Sequence, residues 1–110
     1  MKVFLHFLFL FFITQATFAN VTLVPFGSTW KYLDNGSDQG TTWTSTGFND
    51  AAWSSGTGQL GYGDGDESTI VSYGGNAANK YITTYFRKNI TIGSTSSYLD
   101  YTLSVKRDDG

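Results

Sequence analysis

Hydrophobic and polar residues alternate most clearly in two segments of the C-terminal half of the chain. In residues 81–92 (YITTYFRKNITI), the isoleucines and Phe86 fall on one face of an extended strand, and Tyr85 and Arg87 fall on the other. In residues 98–106 (YLDYTLSVK), every second side chain from Leu99 onward is apolar or aromatic. A period of two is typical of half-buried β-strands, so both segments are predicted strands with one core face and one solvent face. On this pattern Phe86 faces the core.

Shorter segments predict further strands, joined by glycine-rich connections. They are residues 21–25, 29–33, 41–46 and 69–73, which are rich in β-branched and aromatic residues. The first two are expected near a sheet edge. Asn49 or Asp50 is suited to cap a single helical turn that ends at Trp53, and the glycine-rich residues 54–68 predict a long loop.

The N-terminal segment has a different pattern, an apolar run without alternation. Lys2 gives a positive start, residues 3–13 are apolar apart from His6, and Thr17-Phe18-Ala19 places small residues where a signal peptidase cleaves. A membrane span needs about 20 apolar residues, roughly twice this run. Residues 1–19 are therefore a predicted signal peptide, with an uncleaved anchor as the alternative. The mature chain is expected to begin at Asn20 and to be secreted or at the cell surface, with no membrane association after cleavage.

Composition supports an all-β mature chain and removes much of its catalytic chemistry. Aromatic residues make up 17% and charged residues 15%, with 13 glycines and no cysteine, and the single histidine lies in the signal peptide. Without His or Cys, a Ser-His-Asp triad, a Cys nucleophile and the usual zinc sites are excluded. Cleavage removes Lys2 and no acidic residue, leaving six basic against nine acidic residues. That acidic balance does not favour nucleic acid as a partner.

The last residues of the sequence predict a turn that requires a following strand. Asp109-Gly110 comes directly after the alternating segment 98–106, and Asp-Gly at that position is typical of a hairpin turn. We therefore expect residues 20–110 to be part of a larger unit, with a missing C-terminal part of the same chain as a partner.

Five motifs in chain order carry a resemblance to a known family. They are G-x-x-W-x-Y at residues 27–32, Trp43 followed by G-F-N-D-x-x-W at 47–53, Q-L-G-Y-G-D-G at 59–65, Y-F-R-K at 85–88 and V-K-R-D-D-G at 105–110. Residues 20–110 resemble the first half of a galactose-binding-like jelly-roll module of secreted, multidomain bacterial proteins. The same order of motifs is similar to the sugar-binding domain of certain β-galactosidases and β-glucuronidases.

The resemblance implies a fold and a range of functions. The fold would be an antiparallel β-sandwich of the jelly-roll type, present here in part. Such modules bind glycans or act as spacers attached to hydrolases, phosphoesterases or anchoring domains, and usually have no catalytic residues of their own. The expected function is a secreted, non-catalytic carbohydrate-binding or spacer module. The alternatives are a structural interaction domain of a surface protein without glycan affinity, and a carboxylate-based glycoside hydrolase.

The acidic loop formed by Asp64, Asp66 and Glu67 is the candidate metal site. Calcium takes six to eight oxygen ligands, which clustered carboxylates and loop carbonyls can supply. The alternative is an exposed, solvated acidic turn, because the loop lacks the regular ligand spacing of an EF-hand. If the protein were a glycoside hydrolase, the same carboxylates would have to be its two catalytic acids, and one of the two would need a raised pKa. A structural calcium is thus an open prediction, and the resemblance adds to it because related sandwiches often hold one.

Aromatic residues are the candidate ligand contacts. Trp43 and Tyr62 are flanked by threonine and glycine, and an exposed aromatic face there could stack on a sugar ring. Trp30 and Trp53 lie in apolar contexts and are predicted to pack in the core.

Overall fold

A computed structural model describes residues 19–107, so the predicted signal peptide, except Ala19, and the predicted turn at 108–110 lie outside the described residues. Within that range the regular elements are short strands and two 3-10 turns. The prediction of an all-β chain is confirmed. No helix among the described residues has the length and apolar character needed to cross a membrane.

The strands form two small sheets. They are β1 (Thr29–Leu33), β2 (Ser54–Thr57), β3 (Leu60–Gly61), β4 (Thr69–Ile70) and β5 (Tyr85–Arg87). The first sheet is antiparallel with the order β2-β1-β5, and the second is the parallel pair β3-β4. The placement of β1 at a sheet edge was wrong, because β1 is paired on both sides.

The two faces of the first sheet follow from its register. Lys31 is paired with Arg87 and Leu33 with Tyr85, so these four side chains share one face, while the Tyr32–Phe86 pair belongs to the other. The predicted orientation of β5 was wrong. Arg87 is 7% exposed whereas Phe86 is 37% exposed, because Arg87 has buried polar partners on its face.

An aromatic cluster packs on the face that carries Arg87. The Trp53 ring lies 5.6 Å from the ring of Phe48 and 6.1 Å from that of Tyr85, both measured between centroids. Trp53 is 7% exposed, so the prediction that it packs in the core is confirmed. Lys31 Nζ donates a hydrogen bond to the Trp53 carbonyl oxygen at 3.2 Å, which ties the cluster to β1.

Two segments adopt structures that the sequence patterns did not predict. Residues 41–46 do not form a strand but contain the 3-10 turn Thr42–Thr44, because Thr44 bonds back to the Thr41 carbonyl through both its N–H and its hydroxyl. Residues 54–68 are not one loop, since they contain β2 and β3. The predicted turn before Trp53 is present, with Asn49 Oδ1 accepting from Ala51 N and Asp50 O from Trp53 N.

The remaining predicted strands are shorter than expected or are not formed. Residues 21–25 contain no strand and lead into a turn closed by a hydrogen bond from Ser28 N to Pro25 O. The strands predicted at 69–73 and 81–92 are reduced to β4 and β5. Residues 98–106 form no strand, because no neighbouring strand pairs with them, and Leu99, Leu103 and Val105 are 83%, 86% and 65% exposed.

Candidate functional site

An open groove runs along β5, one of the two edge strands of the first sheet. It is lined by the five consecutive residues 86–90 together with Trp30, Trp43, Thr44 and Thr46. Its volume is about 440 Å³, within the range of about 300–1,000 Å³ of small-molecule sites. We call it the edge groove. Its walls combine indole rings with hydroxyl, amide and ammonium groups.

Trp43 is held at the groove by its contact with β5. The 3-10 turn Thr42–Thr44 presents the indole, whose ring packs edge-on against Tyr85 at 5.1 Å between centroids. The Tyr85 hydroxyl in turn accepts a hydrogen bond from Gln39 N at 3.1 Å. Trp43 is half-buried, so part of the indole remains available to a ligand.

Arg87 fixes the loop that carries the far wall of the groove. Its guanidinium lies 3.3 Å from Asp50 Oδ2 and donates hydrogen bonds to the carbonyl oxygens of Ser45 and Phe48, at 3.0 and 3.3 Å. It also lies 4.9 Å from the centroid of the Phe48 ring. A buried charge needs partners of this kind. Through them, Arg87 holds the loop at residues 45–50 against β5. Its charge is already balanced by Asp50.

Lys88 brings a second cation to the groove. Its ammonium donates a hydrogen bond to the Thr29 carbonyl at 2.9 Å, which anchors it next to Trp30 in the chain. An ammonium has three N–H donors. One of them is used by a partner among the described residues, so two remain for a ligand. Asn89, also in the lining, offers both an amide donor and an acceptor.

A second groove, of about 320 Å³, lies beside β3. It is lined by Gln59, Leu60, Gly61, Tyr62, Asp64, Glu67, Lys106 and Arg107. Tyr62 packs against Tyr73 at 5.1 Å between centroids, and the Lys80 ammonium lies 5.0 Å from the Tyr62 ring and 5.6 Å from the Tyr73 ring. We call this the loop groove. Its single aromatic wall is already covered in part by a tyrosine and a lysine.

The acidic loop borders the loop groove and is closed by its own backbone. Glu67 Oε1 accepts a hydrogen bond from Asp64 N, and Oε2 accepts one from Gly65 N, both at 2.9 Å. These backbone N–H groups, that of Asp64 first, lower the pKa of Glu67 below its ordinary value of 4.5. The loop is thus stabilised by an ionised Glu67.

The predicted calcium ligands converge, with carboxylate oxygens of Asp64, Asp66 and Glu67 within 4.8 Å of one another. Their donor type suits calcium. Several of the oxygens already have partners, however, because Asp66 Oδ1 accepts from Gln59 Nε2 at 3.2 Å and Asp66 Oδ2 lies 3.3 Å from the Lys106 ammonium. The geometry therefore favours the alternative, an exposed acidic loop balanced by Lys106. Calcium remains a prediction that only a binding measurement can decide.

The same geometry gives no support to Glu67 as a glycosidase acid. A general acid needs a raised pKa, and hydrogen bonds from Asp64 and Gly65 lower that of Glu67 instead.

The structure separates the two aromatic residues predicted to bind a ligand. Trp43 lines the edge groove and Tyr62 the loop groove. Trp30, predicted to be core, is half-buried and also borders the edge groove, from the sheet face opposite to the one on which Trp43 packs against Tyr85. The sequence offered Arg87-Lys88 as a possible anion contact or as side chains that cover apolar surface, and the contact of Lys88 with Thr29 follows from the pairing of β5 with β1, which no local pattern shows.

Comparisons with models of protein families, with curated proteins and with solved structures give no match for this chain.

Proposed function

We propose that residues 20–110 belong to an exported, non-catalytic module that binds glycan in the edge groove, within a β-sandwich of the jelly-roll type. The all-β architecture and the order of the five motifs are compatible with such a module. The antiparallel sheet β2-β1-β5 would be one layer of the sandwich.

The observation that carries the proposal is the half-buried indole of Trp43 in the lining of the edge groove. Sugar rings present apolar C–H faces that suit an aromatic surface, and hydroxyl groups that need polar partners. Trp43 supplies such a surface on one face of the sheet and Trp30 borders the groove from the other face, while Lys88, Asn89 and the threonines supply donors and acceptors. Sites of this kind are concave, mostly apolar and provided with a few polar groups.

The non-catalytic part of the proposal rests on the available chemistry. The mature chain has no His or Cys, and the only carboxylates that cluster among the described residues are those of the acidic loop. Within that cluster Glu67 is held in its ionised form. A glycosidase acid would need the opposite, a raised pKa.

A second candidate function is a spacer or interaction domain without glycan affinity. The observation that favours it is the exposed apolar side of residues 98–106, which includes Leu99 and Leu103. An exposed apolar strip of this kind is suited to packing against protein, either further strands of the same chain or another domain.

A glycan array probed with the exported protein separates the two candidates. The first predicts retention on a subset of glycans without hydrolysis of any of them, and the second predicts no retention. Hydrolysis that disappears in Glu67→Gln would contradict the non-catalytic proposal. Mass spectrometry of the same sample tests export, with Asn20 expected as the first residue.

A further inference from the structure

We propose that the edge groove prefers anionic glycans, meaning sugars that carry a carboxylate or a sulfate ester, and that Lys88 is the residue that contacts the negative group. This inference rests on the proposed function, because it names the class of glycan that the same groove takes. It begins from the distribution of charge around the two grooves.

The lining of the edge groove contains two cationic residues and no acidic one. Arg87 is committed to Asp50 and to two backbone carbonyls, so it adds little to the field felt by a ligand. Lys88 is different, because among residues 19–107 its ammonium has the neutral Thr29 carbonyl as its one hydrogen-bond partner. A lysine ammonium with two remaining donors can form charge-assisted hydrogen bonds to an anionic sugar substituent.

Placement of the ammonium also fits such a ligand. The hydrogen bond to the Thr29 carbonyl holds the Lys88 ammonium at Thr29. The next residue in the chain is Trp30, which also lines the groove. A sugar ring stacked on Trp30 could therefore direct an exocyclic carboxylate or sulfate at the ammonium. Asn89 lies next in the chain and offers its amide N–H groups to the same substituent.

The loop groove provides the internal contrast. Its lining mixes both signs of charge, with Asp64 and Glu67 beside Lys106 and Arg107, and Lys106 is already paired with Asp66. An anionic ligand would meet carboxylates as well as cations at that groove, whereas the edge groove has cations and no acidic residue in its lining. Charge complementarity therefore selects the edge groove.

Two pairs of polymers test the inference on the exported protein. Polygalacturonate is compared with its methyl ester, and a sulfated galactan with the desulfated galactan, because each pair changes charge and little else. We expect each anionic polymer to be retained about 3–10-fold more tightly than its neutral partner at low salt, and the difference to shrink as salt is raised.

Variants assign the preference to a residue. Lys88→Gln should abolish the preference for charge, and Lys88→Arg should keep it, which separates loss of the cation from loss of folding. Lys80→Gln is the matched control, since it removes the same charge beside Tyr62 and Tyr73 and should leave the preference unchanged.

The outcomes distinguish this inference from the proposed function. Equal retention of charged and neutral polymers, or a preference that survives Lys88→Gln, overturns the inference and leaves glycan binding in place. A preference that Lys80→Gln abolishes assigns the anion to the other groove and also overturns it. No retention of any glycan overturns both.

Discussion

At the scale of single residues, Arg87 determines whether the loop opposite β5 stays in place. It is 7% exposed and joins Asp50, Ser45 and Phe48 to the edge strand. Replacement by methionine preserves much of the volume but leaves the Asp50 carboxylate and two carbonyls without their donor. Breaking a buried ion pair costs about 3–5 kcal/mol, so we expect Arg87→Met to move the midpoint of urea unfolding to a clearly lower urea concentration.

The exposed Lys80 provides the control for that measurement, because Lys80→Met also removes one positive charge. It should leave the midpoint of urea unfolding close to that of the wild type, because surface substitutions usually change stability by less than about 0.5 kcal/mol. If the two variants were equally stable, Arg87 would not be the structural link that the contacts indicate.

Glu67 makes the stability of the acidic loop depend on pH. Its folded-state pKa lies below the ordinary value of 4.5, because the Asp64 and Gly65 backbone N–H groups bind the ionised form. Its contribution is therefore fully present above pH 4.5 and is lost as the pH falls through the lowered pKa. Between pH 6 and pH 3, the Tm of Glu67→Gln should fall less steeply than that of the wild type. Parallel Tm curves would contradict this account.

At the scale of elements, Gly56 in β2 allows the two sheets to meet. A Cβ at this position would overlap the Thr69 side chain of β4, whose hydroxyl donates a hydrogen bond to the Thr57 carbonyl at 2.9 Å. We expect Gly56→Ala to lower the free energy of unfolding by about 1–3 kcal/mol, because Thr69 must move. Gly47→Ala, where a Cβ would meet nothing within 4 Å, is the control and should be close to neutral in a thermal melt.

Sequence patterns predicted some elements better than others, for a physical reason. β1 is rich in aromatic residues and was predicted with its observed bounds, whereas β2 has the sequence SSGT and no apolar alternation. β2 is a strand because β1 pairs with its backbone and Gly56 accommodates Thr69. Residues 98–106 show the converse, since they have clear alternation but no paired strand.

The candidate site was predictable only in its residue types. Trp43 and the acidic loop stood out because of their local context. The orientation of Arg87 and the approach of Lys88 to Thr29 depend on the pairing of β5 with β1, which are more than 50 residues apart in the chain. The alternation in residues 81–92 assigned the side with Phe86 and the isoleucines to the core. It could therefore not predict that Arg87, on the other side, is buried.

At the scale of the whole molecule, few hydrophobic residues are buried and many large ones are exposed. Among the described residues, Trp53 and Val71 are the buried hydrophobic ones, while Leu99, Leu103 and Ile82 are more than 80% exposed. We expect residues 20–110 on their own to unfold with a broad transition in calorimetry and to bind an apolar dye before they unfold.

Substitution tests the source of that dye binding. Leu99→Ser with Leu103→Ser should reduce it, and Thr102→Ser with Ser104→Thr, on the alternate side of the segment, should not. A sharp two-state transition without dye binding would contradict this expectation.

The most direct test of glycan binding in the edge groove compares the two predicted aromatic contacts by affinity electrophoresis, on the best glycan from the array. Trp43→Ala should weaken retention about 10-fold through loss of the stacking surface, with a circular dichroism spectrum that still shows a folded chain. Tyr62→Ala, in the loop groove, should leave retention unchanged. Equal retention by Trp43→Ala and the wild type, or a loss confined to Tyr62→Ala, would contradict the assignment of the glycan to the edge groove.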